Sequence, residues 1–315
     1  MGVSFLSFIK SVKLPAALGI LIFSSASLKA SGPSIQSRIE EINRLVLDEK
    51  GQNSIKVSRL DKKIEKLGAR LIRQKSAALG PLSRVVLDSH WPLKTRVFCI
   101  NFLGLIDDPG AFTVLSQLLL DPSQPDVLRS QAASLLPRSP VSIEAKRKVL
   151  CRNYAQKNLP ELTKDQTLFE ISKFGCPQVD LLLKQTRDFG DKPEGKNRVL
   201  AILSIQALGE SFSSQSLQVL WKLFDFYSPG SLMRGEVLKA LLRQSRRRLP
   251  RSLISLSQPR DAVASESRFP ENEKLALKVL VHLGGKNAAP DIQRELKNPN
   301  PDVRGAAKKA LEKIR

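Results

Sequence analysis

A pattern that recurs about every 35 residues from Arg96 onward constrains this chain more than any other feature. A basic residue is followed three positions later by a small or apolar residue and, at seven, usually by an aliphatic one, a spacing that puts all three on one helix face. The clearest instances are Arg96 with Cys99 and Leu103, Arg129 with Ala132 and Leu136, Arg198 with Ala201 and Ile205, Arg234 with Val237 and Leu241, and Arg304 with Ala307 and Leu311. Lys164 with Thr167 and Ile171, and Lys274 with Leu277 and Val281, fill the gaps. The successive steps are 33, 35, 34, 36, 40 and 30 residues. Further helical segments lie between these stretches, over 111–120, 179–189, 217–226 and 291–297, set off by Gly, Pro, Asn and Asp. Each period therefore predicts a helix pair. One pair cannot bury its apolar side alone, so neighbours must stack. The expected fold is all-α, an α-solenoid of stacked antiparallel helix pairs.

Composition agrees with this expectation. Hydrophobic residues make up 42% of the chain and aromatics only 5%, which suits Leu- and Ala-rich helices packed on one another. Before the repeats, Ile35, Ile39, Ile42 and Leu45 keep helical spacing, as do Leu60, Ile64, Leu67 and Leu71. Residues 31–92 are read as an N-terminal helical cap, and 93–315 as the solenoid of about seven helix pairs.

The best self-match aligns Asp121-Pro-Ser-Gln-Pro-Asp-Val127, leading to Arg129, with Asn298-Pro-Asn-Pro-Asp-Val303, leading to Arg304. In both, proline stops one helix, and Asp126 or Asp302 stands where a carboxylate can accept from free N–H groups of the next helix and oppose its dipole. The segment from Asn298 to Leu311 resembles HEAT repeats, specifically the short bacterial type also seen in phycobilisome-lyase-like proteins, and the likeness extends over about residues 93–315. That resemblance implies a structural ladder between neighbouring repeats made by Asp126, Arg129, Asp302 and Arg304. Arg96, Arg198 and Arg234 depart from the family pattern because no aspartate precedes them, so the ladder is expected to be incomplete.

Residues 1–30 carry no acid. Lys10 and Lys13 precede an apolar run over 14–23 and then Ser24, Ser25 and Ala26. This is the layout of a secretory signal peptide, with cleavage expected after Ala26 or Ala30. The apolar run is too short for a permanent helical anchor, which needs roughly 20 residues. A periplasmic or secreted mature protein is expected. Loss of Lys10, Lys13 and Lys29 takes three from the formal charge of +21 and leaves +18.

A charge of this size attracts anions over a distance, so the candidate partners are acidic proteins, anionic envelope components and nucleic acid, and a basic bias of the source proteome gives the same signature. The densest basic feature is Arg243, Arg246, Arg247, Arg248 and Arg251, with Arg260 and Arg268 downstream, inside the longest period. It is read as an Arg-rich insertion near 243–268, an extended loop able to contact phosphate or carboxylate. A solvated loop with no partner is the alternative.

Catalytic signatures are sparse. His90 and His282 belong to no metal-binding motif. The segment from Gly190 to Lys196 matches phosphate-loop spacing as far as the lysine, then offers Asn197 where a hydroxyl should ligate magnesium, and it follows a helix rather than a strand. No catalytic residue, metal or cofactor is assigned, and the chain is expected not to be an enzyme. The three cysteines form no close pair. Cys99 and Cys151 lie in apolar helical stretches as small hydrophobes, and one disulfide is open to the set in an oxidising compartment.

The expectation is an exported HEAT-type scaffold that binds a protein or an anionic envelope partner on its concave or basic surface. Two alternatives stand beside it. One is a nucleic-acid-binding protein resembling HEAT-like DNA glycosylases, which need aromatics near the extruded base, whereas Trp91 and Trp221 fall in different repeats. The other, a bilin lyase or chromophore chaperone, follows from the repeat subtype alone.

Overall fold

Helix pairs follow one another along the whole described chain. The computed structural model describes residues 33–48, 54–245 and 257–314, and the described residues from Ile35 onward pack together as one unit. The leader expected over residues 1–30 lies outside the described residues, as do Arg246, Arg247, Arg248 and Arg251.

The helices are α1 (Ile35–Asp48), α2 (Ser54–Ile72), α3 (Ser76–Leu87), α4 (Leu93–Leu103), α5 (Pro109–Leu120), α6 (Asp126–Leu135), α7 (Ile143–Tyr154) and α8 (Glu161–Phe174). They continue as α9 (Val179–Asp188), α10 (Gly195–Gly209), α11 (Ser214–Phe226), α12 (Leu232–Ser245), α13 (Ser257–Ser265), α14 (Pro270–Gly284), α15 (Ala289–Arg294) and α16 (Pro301–Ile314). No strand occurs among the described residues. Local chemistry sets many of the boundaries. Asp108 accepts from the Gly110 N–H at 2.7 Å ahead of α5, Ser142 accepts from the Ala145 N–H at 3.2 Å ahead of α7, and Ser213 and Ser216 cap α11 reciprocally. Gly175 ends α8 with a φ of 75°, a conformation glycine adopts without strain.

Even-numbered helices form one row. Helix α4 packs on α6, α6 on α8, α8 on α10, α10 on α12, α12 on α14 and α14 on α16. Odd-numbered helices lie behind them, each packed on the even helix that follows, from α3 on α4 to α15 on α16, and this row is more loosely joined along its length. The even row, the more tightly packed of the two, is termed the inner row and the odd row the outer. The fold is the α-solenoid of stacked helix pairs that the repeat predicts.

The recurrent pattern marks the buried face. Its residue at the third position is buried in all seven instances, and that at the seventh in all except the half-buried Leu311. The basic residue behaves less uniformly. Arg96, Arg129 and Arg234 are buried, whereas Lys164, Arg198 and Arg304 are exposed. In α14 the buried stripe runs through Glu273, Ala276, Leu277 and Leu280, so Glu273 and not Lys274 occupies the inward position, and Lys274 pairs outward with Glu271 at 2.5 Å. Residues 257–265 of the long period are helical rather than looped, forming α13.

Candidate partner-binding groove

The buried arginines brace the repeats from inside. Arg96 donates from both Nε and an Nη to the Val86 carbonyl, at 2.9 and 2.8 Å, and reaches the Gln124 side chain of the next repeat. Arg129 repeats the arrangement, donating to the Leu119 carbonyl, again ten residues back, at 3.1 Å, and forward to Asn153 at 3.2 Å and Gln156 at 2.6 Å. Each guanidinium thus satisfies a carbonyl left open at the end of the outer helix and ties its pair to the following one. Arg234 instead stacks over Phe224, 3.8 Å from the ring centre, and meets Glu266 at 2.8 Å.

The residues singled out for the ladder lie as follows. Asp126, in the first turn of α6, accepts from the Thr163 backbone N–H at 3.0 Å and from the Thr163 hydroxyl. Asp302 is exposed in the first turn of α16, where its N–H donates to Asn300 at 2.9 Å. Arg304 donates only to the Asn298 and Pro299 carbonyls of its own preceding turn, both at 2.8 Å. Arg243 ends α12 with Nε 3.9 Å from Glu210, and Arg260 pairs with Asp291 at 2.6 Å. Lys196 is held by Glu161 and, at 2.6 Å, by Asp165.

Cysteine placement was not legible from spacing. Cys151 of α7 and Cys176, in the turn after α8, are joined in a disulfide with Cα atoms 5.8 Å apart, inside the usual range for the bond. Both are buried. Cys99 is free and buried, and burial pushes its thiol up to about 12.

The inner row opens into a groove at its C-terminal end. A cavity of about 1160 Å³ lies between α12, α14 and α16, with Leu275, Leu277, Val281 and Ala306 among its apolar lining. Five lysines line it as well: Lys239, Lys274, Lys278, Lys309 and Lys313. Four carboxylates share the groove, of which Glu236 and Glu271 pair within their own helices with Lys239, at 2.7 Å, and Lys274. Lys278, Lys309 and Lys313 are exposed and make no ion pair among the described residues. Neighbouring helices cover the other sides of the even row, so these lysines lie on its open face. Further along the row, Phe169 of α8 is 45% exposed beneath Lys173, whose ammonium sits 4.0 Å from the ring centre.

No protein-family model matches this chain, and no curated protein does. Among solved structures, that of human deoxyhypusine hydroxylase in complex with glycerol is similar, at 16% identity and a TM-score of 0.36, over 89% of this chain and 96% of that one. The hydroxylase is an enzyme, which corrects the expectation that the present chain is not one. A helical array without a recognisable catalytic motif is no ground for denying catalysis, and that expectation is dropped. At this level of similarity nothing of the hydroxylase's substrate or chemistry transfers to the present chain. No group of three or more His, Cys, Asp or Glu side chains suited to a metal ion occurs among the described residues, and no helix among them is long and apolar enough to cross a membrane.

Proposed function

We propose that this chain is an exported HEAT-type scaffold that holds an acidic protein partner against the lysine-bearing end of its inner helix row. The observation that carries the proposal is the groove between α12, α14 and α16, where five lysines meet four carboxylates and Lys278, Lys309 and Lys313 are exposed and outside any ion pair among the described residues. Its volume of about 1160 Å³ exceeds that of ordinary small-ligand pockets, roughly 300–1,000 Å³, and suits a polypeptide segment. Export is supported by the leader-like composition of residues 1–30 and by the Cys151–Cys176 bond, since disulfides persist chiefly in oxidising compartments.

The test is crosslinking of the full chain in intact cells, followed by recovery from envelope fractions beside a K278E/K309E/K313E triple variant. An acidic protein recovered with the unaltered chain and lost at raised salt and in the variant is the expected result. Equal recovery by both forms removes the groove as the site. A chain that stays in the cytoplasm with residues 1–30 intact removes export.

A further inference from the structure

Buried carboxylates and carboxamides meet the half-buried Glu295 where α14 packs on the last helix pair. Glu273 in the first turn of α14 and Glu266 just beyond α13 are both fully buried. Glu266 is well supplied: Arg234 lies 2.8 Å away, and its Oε2 accepts from the Gly230 N–H and the Asn272 amide, both at 2.9 Å. Glu273 is not. Its Oε1 accepts from the Asn298 amide at 2.6 Å, and its Oε2 meets no donor. The same amide nitrogen donates to Glu295 at 2.8 Å, so two carboxyl groups converge on one donor. Two carboxylates gathered on one amide cannot both be ionised at low cost, whereas a single proton held by the pair removes one of the two charges.

We propose that Glu273 and Glu295 share one proton that seats the last helix pair, α15 and α16, on the rest of the array. The charged groups around the pair leave that proton in place. Arg234 of α12 is engaged by Glu266, whose own negative charge favours the protonated form of Glu273. Glu236, Lys239, Glu271, Lys274 and His282 line the groove instead. Asp261, Lys286, Arg294, Lys297 and Asp302 are exposed, Arg260 is bound to Asp291, and Arg304 serves its own turn. Burial, followed by the charge and contact of Glu295, pushes the Glu273 carboxyl up to about 7. A folded-state value above the unfolded one means that the stabilisation is complete in acid, below the ordinary carboxylate range, and is lost as pH rises through about 7. Because α16 is one wall of the groove, the same proton decides whether the groove keeps that wall.

The experiment is hydrogen exchange on the full chain without any partner, normalised to intrinsic rates, at about pH 5.5 and about pH 8.5. Protection of residues 289–314 is expected to fall by at least about tenfold at the higher pH relative to residues 93–135. The Glu273→Gln variant, which keeps a donor that does not titrate, is expected to show no such fall, and Glu295→Gln serves if the first does not fold. Equal protection of the last pair at both pH values, or a fall that persists in the glutamine variant, overturns the proposal. The unaltered chain decides the matter alone if neither variant folds, and no partner enters the measurement, so its outcome is separate from that of the binding test.

Discussion

Asp126 and Thr163 join two successive inner helices at their N-termini: one carboxylate oxygen of Asp126 accepts both the backbone N–H and the hydroxyl of Thr163, 37 residues further along the chain. The aspartate of the repeat motif therefore serves the N-terminus of the helix in the next repeat, which its negative charge also favours.

This contact should show as coupling between the two positions. Asp126→Ala and Thr163→Ala are each expected to destabilise the fold by about 1–2 kcal/mol, and the double variant by clearly less than their sum. Urea denaturation of the four forms measures the difference, and strict additivity would show that the two residues act independently.

The arginines of the repeat divide by burial, and their removal should divide in the same way. Arg129→Ala leaves the Leu119 carbonyl, Asn153 and Gln156 without their donor inside the core and is expected to cost about 3 kcal/mol. Arg304→Ala, at an exposed side chain serving only its own turn, is expected to cost less than about 1 kcal/mol. Thermal melting of the two variants under one condition provides the comparison.

The disulfide gives a prediction of a different kind. Reduction of Cys151–Cys176, which spans 25 residues, is expected to lower stability by about 3 kcal/mol, and Cys151→Ser with Cys176→Ser should reproduce the loss. An alkylating reagent under non-reducing conditions should leave the folded chain unlabelled, because the remaining thiol of Cys99 is buried and held protonated, and should add a single label on unfolding. Three labels on the unfolded, unreduced protein would show that the bond is absent.

Gly175 turns the chain from α8 toward α9 beside the α10–α11 connection. A Cβ at this position would overlap the Glu210 carbonyl, and its φ of 75° disfavours any side chain. Gly175→Ala is therefore expected to destabilise by more than about 2 kcal/mol, read as a fall in melting temperature, whereas Gly190→Ala, with positive φ but open space, should cost about 1 kcal/mol.

The repeat was legible because its small and aliphatic positions are the ones the fold buries: Cys99, Ala132, Ala201, Val237 and Ala307 all face the core. The fate of the basic position was not legible. Whether an arginine turns inward depends on what its tip meets, and Val86, Leu119, Asn153 and Gln156 belong to other helices and turns, out of reach of local spacing. Lys274 was aligned by its chemistry, while the apolar stripe Ala276, Leu277 and Leu280 runs through Glu273, a register shift of one residue that a search for basic residues passes over. The groove lysines had a faint signal, since Lys274, Lys278, Lys309 and Lys313 stand at helical spacing on two helices, but their convergence on one cavity is a property of stacking.

Buried arginines brace the row at α4 and α6, give way to exposed basic residues at Lys164 and Arg198, and return at Arg234. Across that lapse the turn after α8 is stitched covalently to α7 through Cys176, and Ser211 at the end of the next pair donates to the Cys176 carbonyl at 2.8 Å. The disulfide thus closes one helix pair on itself at the place where the next pair hangs from it through Ser211. Reduction would leave the seat of the next pair to the Ser211 hydrogen bonds and helix packing alone.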